Sequence, residues 1–295
     1  MNNFVKRALT GAVFVVVMVG AIFFNYWSLC ALFFVIAMLG LNEFYNLLGF
    51  AKYNPQKEVG MGVGALLFIL FAFRYELFGD MVFALILPFI AVIFFHELYR
   101  NLKDPFINIA LTLVGILYIV LPFALWVSYM CPYSPSHNKL IDQLINSFGP
   151  TSSYNPHVLL AYFFILWTND TGAYLTGMAM GKAKLWERVS PNKTWEGFFG
   201  GMVLSIGVAY LISRFYTDFS PVIWMVIGFL VSVFGTFGDL VESLFKRSLD
   251  VKESGGLLPG HGGILDRFDG VLLSTPIVLT FIQIVEFVTN LANGG

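Results

Sequence analysis

Long apolar runs broken by short polar clusters organise the chain, and they predict helices at about residues 8–24, 29–48, 59–73, 81–95, 107–130, 157–180, 197–213, 221–241 and 270–292. Several windows fall short of the ~20 residues an α-helix needs to cross a bilayer core, so one of them is open to a re-entrant reading. The longest polar stretch, 131–156, is expected outside the membrane. It separates an N-terminal set of transmembrane helices, 1–130, from a C-terminal region, 157–295, with cytoplasmic loops at 181–196 and 242–269.

Loop charges orient this arrangement, because Lys and Arg near helix ends stay on the cytoplasmic side. With a cytoplasmic N-terminus, nine crossings place Lys6, Arg7, Lys52, Lys57, Arg100, Lys103, Lys182, Lys184, Arg188, Lys193, Lys246, Arg247, Lys252 and Arg267 inside. Only Arg74, Lys139 and Arg214 fall outside, a split of 14 to 3 that one missed crossing would spoil. The C-terminus is then external. Composition agrees: 58% of residues are hydrophobic and 12% charged, against about 25% charged in soluble domains. The expected fold class is therefore all-α integral membrane, a polytopic helical bundle of about nine transmembrane helices, with the cytoplasmic interface as the place to look for an active site.

The remaining composition mainly excludes. Seventeen Lys plus Arg against 18 Asp plus Glu leave a net charge of −1, with no basic tract to argue for nucleic acid. Cys30 and Cys131 are too few and too far apart for a disulfide framework or a zinc set. The first apolar run follows Lys6 and Arg7 without a small-residue cleavage site, so it is expected to remain as a helix. Leu29 is too bulky for a lipoprotein-type site before Cys30, which is expected to be a buried apolar residue.

Charge is concentrated. Segments 182–196 and 239–269 cover 46 residues and hold 16 of the 35 charged groups. In GDLVESLFKR, residues Asp239, Glu242, Ser243 and Lys246 recur at i, i+3, i+4 and i+7, one face of a helix. The alternative is a solvated helix end with an i,i+4 ion pair. Against it, Asp239 follows an almost wholly apolar span, where an ionised group needs a partner or a task.

Downstream, Gly255, Gly256, Pro259, Gly260, Gly262 and Gly263 make a turn-rich loop before Asp266 and Asp269, which are i,i+3 neighbours. Backbone N–H groups without a neighbouring Cβ can approach a phosphate closely, and a helix start adds partial positive charge. The alternative is a surface loop whose acids favour the helix dipole. A third cluster, WTNDTGAYLTGMAMGKAKLWERVSPNKTWEG, puts Asp170, Tyr174, Gly177 and Gly181 on one face, suited to a ligand or to close helix packing. Lys182, Lys184, Arg188 and Lys193 suit a polyphosphate or act as positive-inside anchors, and Ser190 and Glu196 are open to a helix-capping reading.

Other phosphate and metal motifs fail. A Walker A loop is broken by Thr176 and Ala183, no H-E-x-x-H occurs, and Gly60, Gly62 and Gly64 begin a membrane span rather than follow a strand. His96 and His157 read as interfacial, which leaves His261 in the glycine-rich loop as the histidine suited to ligand contact.

The run Ser243-x-Phe245-Lys246-Arg247, then Lys252, then Pro259-x-His261-Gly262-Gly263-x-x-Asp266-Arg267-x-Asp269 resembles the signature of phosphatidate cytidylyltransferases, or CDP-diacylglycerol synthases. It spans 27 residues at fixed spacing. Asp170-Thr171 with Ala173-Tyr174, and Ser190-Pro191 with Lys193-Thr194-Trp195-Glu196-Gly197, are similar to two further family segments. Where the family usually carries Asp, this chain has Glu253, which is given no ligand role.

The resemblance implies an enzyme that converts CTP and phosphatidic acid to CDP-diacylglycerol and pyrophosphate with Mg2+, leaving room for a second cation. It implies Asp239 and Asp266 as the core metal pair with Asp269 beside them, and Lys246 and Arg247 as catalytic cations. Asp170, Lys182, Ser190, Lys193, Ser243, Lys252, His261 and Arg267 are expected to bind substrate. The implied setting is a bilayer, of bacterial inner-membrane type, with a homodimer compatible with it. A phosphate monoester is largely dianionic at neutral pH, with a second pKa of about 6, so it needs charge neutralisation rather than a general base.

Overall fold

The computed structural model describes residues 3–74, 81–131, 154–256 and 262–292. His261 and most of the expected external loop, 132–153, lie outside the described residues. Each of the nine apolar windows coincides with a helix: α1 Asn3–Phe24, α2 Tyr26–Phe50, α3 Lys57–Ala72, α4 Met81–Arg100, α5 Pro105–Gly115 continuing through a π turn into α6 Leu121–Met130, α7 His157–Met180, α8 Trp195–Ile212, α9 Pro221–Ser248 and α10 Leu265–Ala292.

The protein is an all-α polytopic membrane protein, with six helical segments long and apolar enough to cross a bilayer among the described residues. These are Tyr26–Phe50, Met81–Arg100, Pro105–Met130, Trp195–Ile212, Pro221–Ser248 and Leu265–Ala292. Among the described residues, six of the nine windows therefore meet the length and hydropathy that a crossing asks for. The 16 residues of α3 reach only about 24 Å, short of a ~30 Å core. The second half of α7 is too polar, carrying Thr168, Asn169, Asp170 and Thr171 in succession.

The chain forms two compact units, Met1–Pro156 with Glu253–Arg267, and His157–Lys252 with Phe268–Gly295. In the first, Asn25 and Ser28 close a capping box at the start of α2. The π turn Ile116–Val120 precedes Pro122, which has no N–H to give the carbonyl of Tyr118, so the register widens there. Cys30 and Cys131 are buried as apolar side chains. Glu97 accepts from Asn108, Gln56 and Arg100 at 2.8, 2.6 and 2.9 Å, and His96 Nδ1 meets Gln56 Oε1 at 2.9 Å. Buried polar groups among apolar helices must find such partners within the protein.

In the second unit, glycines let helices touch backbone to backbone. A Cβ on Gly172 of α7 would lie 3.2 Å from the Cα of Gly201 on α8, and one on Gly238 of α9 would lie 2.5 Å from the carbonyl oxygen of Asp269 on α10. Buried hydroxyls bind the same helices: Tyr162 meets Ser274 at 2.6 Å, and Ser232 donates to Asn169 Oδ1 at 2.6 Å. A short antiparallel hairpin, β1 Lys184–Trp186 and β2 Ser190–Thr194, joins α7 to α8. At the far end of α7, His157 stacks on Tyr216 with ring centroids 4.3 Å apart.

Candidate active site

The hairpin delivers the central cation. Thr194 is the N-cap of α8, its hydroxyl accepting from Gly197 N at 3.2 Å, so the chain turns sharply from strand to helix at that residue. The Trp195 amide donates to the Ala183 carbonyl at 2.9 Å, and the Glu196 carboxylate accepts from Ala183 N at 3.1 and 3.2 Å. Glu196 therefore clamps the base of the hairpin. Ser190 does not cap the helix; it lies in β2 and pairs in register with Trp186.

One residue before the cap, Lys193 reaches α9: its Nζ lies 2.5 Å from Asp239 Oδ2 and 3.4 Å from the Thr236 carbonyl. Asp239 Oδ1 accepts from Ser243 one turn on at 3.3 Å. Lys246 instead pairs with Glu242 at 2.7 Å, both side chains being largely buried. The acidic face of α9 is therefore divided. Its i,i+4 pair is intrahelical, whereas Asp239 takes a cation from a distant loop.

Lys193 and Asp239 border a cavity of about 540 Å³ in the second unit. Its polar lining includes Asp170, Asn169, Asn192, Thr194 and Thr236, and Tyr174, Met178, Leu185 and Phe198 supply apolar wall. Asp170 and Asp239 act on each other electrostatically and both feel Lys193, while Asp269 lies within electrostatic reach of Asp239, Asp170 and Glu242. The face predicted on α7 is used both ways. Asp170, Tyr174 and Gly177 line the cavity, and Gly181 abuts Thr194.

The other predicted residues have different placements. Lys182, Arg247 and Lys252 are exposed, with Arg247 in the last turn of α9. In the first unit, Asp266 opens α10 and its Oδ2 accepts from Ser254 N, Ser254 Oγ and Gly263 N at 3.1, 3.0 and 2.9 Å; Arg267 next to it is exposed. Asp266 thus orders the ends of the glycine-rich segment. Gly262, at φ +79°, adopts a left-handed turn that a side chain would strain.

Sequence reasoning passed over Asn192, Thr236 and Glu43. The first two are ordinary polar residues until folding places them on the cavity wall. Glu43 did carry a signal, a lone carboxylate inside an apolar window.

No group of three His, Cys, Asp or Glu side chains among the described residues is arranged to hold a metal by itself. The donor chemistry still suits magnesium, which binds through one or two carboxylates and takes its other oxygens from water and substrate. Carboxylates beside a lysine, at a cavity with polar and apolar walls, suit an anionic ligand that brings its own phosphate oxygens.

Fold and site together define a polytopic α-helical membrane protein with an acid-and-lysine cavity among its C-terminal helices. The chain belongs to the cytidylyltransferase family: residues 5–285 match the family described as "Cytidylyltransferase family". It is similar to the phosphatidate cytidylyltransferases of Staphylococcus haemolyticus (strain JCSC1435) and Staphylococcus aureus (strain COL), 48% and 50% identical over 133 residues, 44% of this chain and 51% of theirs. That of Staphylococcus saprophyticus is 48% identical over 137 residues, 45% of this chain and 52% of its own. The chain spans about half the length of the curated relatives it matches.

Proposed function

We propose that the protein is a CTP:phosphatidate cytidylyltransferase of phospholipid biosynthesis. The observation that carries this reading is the Lys193–Asp239 pair bordering a cavity with Asp170, in a cytidylyltransferase-family chain bearing the 243–269 signature. A phosphate oxygen of phosphatidate attacks the α-phosphorus of CTP. The new P–O bond forms as the bond from the α-phosphorus to the β-phosphate oxygen breaks, and the bonding pair leaves with pyrophosphate. The monoester is already largely ionised, so no side chain has to remove a proton.

The protein's task is to gather and neutralise phosphates. Lys193 is poised to exchange Asp239 for a substrate phosphate. Lys246, Arg247 and Lys252 are assigned to triphosphate or lipid phosphate, with Lys182, Arg267 and His261 assisting and Ser190 and Ser243 as polar contacts. Asp239 and Asp266 are proposed as the core magnesium ligands with Asp269 as a neighbouring acid, and Asp170 as a substrate-site acid. Bound magnesium would withdraw charge from the phosphate oxygens and orient the leaving pyrophosphate.

A lipid substrate keeps its acyl chains in the bilayer while CTP comes from water, which demands a site at a membrane face. We place that face on the cytoplasmic side of a bacterial inner membrane, with the N-terminus inside and the C-terminus outside. Tyr174 and Met178, 64% and 67% exposed at the cavity, offer apolar surface to a lipid.

The test is turnover. Protein purified in detergent, given phosphatidate, CTP and magnesium, is expected to release pyrophosphate and form a CDP-linked lipid, and Asp266→Asn is expected to abolish this while the protein stays folded in the membrane. Absence of the CDP-lipid with wild-type protein, or cation flux in its place, would overturn the assignment.

A further inference from the structure

Glu43 lies in α2, amid apolar sequence, and is 8% exposed. Its partners come from more than 200 residues away: Oε2 accepts from the backbone N–H of Leu265 at 3.1 Å and faces the hydroxyl of Ser254 at 3.4 Å. Leu265 is the first residue of α10, so its amide is among the donors that a helix start leaves without an intrahelical partner. Two glycines make room for the carboxylate. A Cβ on Gly255 would lie 2.8 Å from Oε1, and one on Gly263 would lie 2.5 Å from Oε2.

Ser254 links this contact to Asp266. Its one hydroxyl hydrogen can serve one carboxylate at a time, and Asp266 Oδ2 is the nearer at 3.0 Å. The Leu265 amide is then the principal donor to Glu43. The negative charge also sits at the end of α10 where the helix dipole favours it.

We infer that Glu43 is a positioning residue. By accepting from the start of α10 against Gly255 and Gly263, it holds both flanks of the glycine-rich segment on α2 and thereby sets the orientation of Asp266. The catalytic consequence rests on the function proposed above; the positioning itself does not.

The test compares full-length wild type, Glu43→Gln and Glu43→Ala in detergent by hydrogen exchange over residues 262–270 and by the magnesium dependence of turnover. Gln keeps an acceptor oxygen at the same reach, so its exchange and magnesium dependence are expected to match wild type. Ala is expected to speed exchange at Gly263 and Leu265 by about tenfold or more, with Ile282 farther along α10 unchanged. It is also expected to raise the magnesium needed for half-maximal rate by about tenfold, as loss of a residue that orients a ligand does. Wild-type protection in Glu43→Ala would overturn the inference. So would Glu43→Gln behaving like Glu43→Ala, which would make charge rather than hydrogen-bond acceptance the requirement. Should Glu43→Ala fail to fold, Glu43→Asp, whose shorter stem withdraws the acceptor, is expected to give intermediate exchange, and unchanged exchange there overturns the inference. A wild type that makes no CDP-lipid refutes the proposed function, while the exchange comparison still decides the role of Glu43.

Discussion

Replacing Lys193 by Met removes the cation bonded to Asp239 while keeping most of the side-chain volume. Two effects compete. The Lys193 and Asp239 side chains are 24% and 39% exposed, so the ion pair is partly screened and its loss costs the fold about 0–1 kcal/mol. Repulsion of Asp239 by Asp170 and Asp269 pushes the cost toward the upper end of that range. For the proposed reaction, which brings together two phosphates, loss of one placed charge-stabilising group costs about 2.7–4 kcal/mol, or roughly 10²–10³-fold in rate. Activity should therefore fall far more than stability. Pyrophosphate release from CTP and phosphatidate in detergent gives the first quantity and a thermal unfolding midpoint gives the second, with a shift of no more than about 4 °C expected. Lys193→Arg should fall between Met and wild type, because charge is kept while the compact ammonium is replaced by a planar fork. A Lys193→Met protein with wild-type turnover, or one that loses activity only because it no longer folds, would refute the reasoning.

Two further substitutions separate packing from chemistry. Gly238→Ala forces a Cβ against the Asp269 carbonyl where α9 and α10 cross, so a loss of about 1–3 kcal/mol in unfolding free energy is expected together with reduced turnover; an unchanged melting profile would show that the crossing relaxes at no cost. Glu97→Ala strips the common acceptor from buried Gln56 and Asn108 and half-buried Arg100, each of which keeps a backbone carbonyl, and should cost about 1–3 kcal/mol, visible as a lower unfolding temperature and lower membrane yield. Turnover per folded molecule should stay near wild type in Glu97→Ala, and a selective loss of rate without instability would contradict its structural role.

Helix positions were legible in the chain because each depends on neighbours a few residues away: nine apolar windows, and a helix in every one. The shared face of Asp239, Glu242, Ser243 and Lys246 was legible for the same reason, since a 3.6-residue period fixes which side chains on one helix point together. Crossing the membrane asks for a further property, sustained apolar length. Among the described residues six windows have it, while α3 is short and the second half of α7 polar.

Partnership was not legible. Glu242 and Asp239 are both acids on one helical face, yet one is neutralised by Lys246 a turn away and the other by Lys193 from the hairpin before α8. Nothing local distinguishes them, because the choice depends on how Thr194 and Glu196 turn the hairpin toward α9. The carboxylate of Glu43 was visible as an anomaly in an apolar run, but its meaning required Leu265, Gly255 and Gly263 to arrive from across the chain. Sequence alone determined where the helices form and which acids are costly to bury. Tertiary structure decided which donor answers each acid, because hydrogen bonds and ion pairs act over a few ångströms of space whatever the distance along the chain.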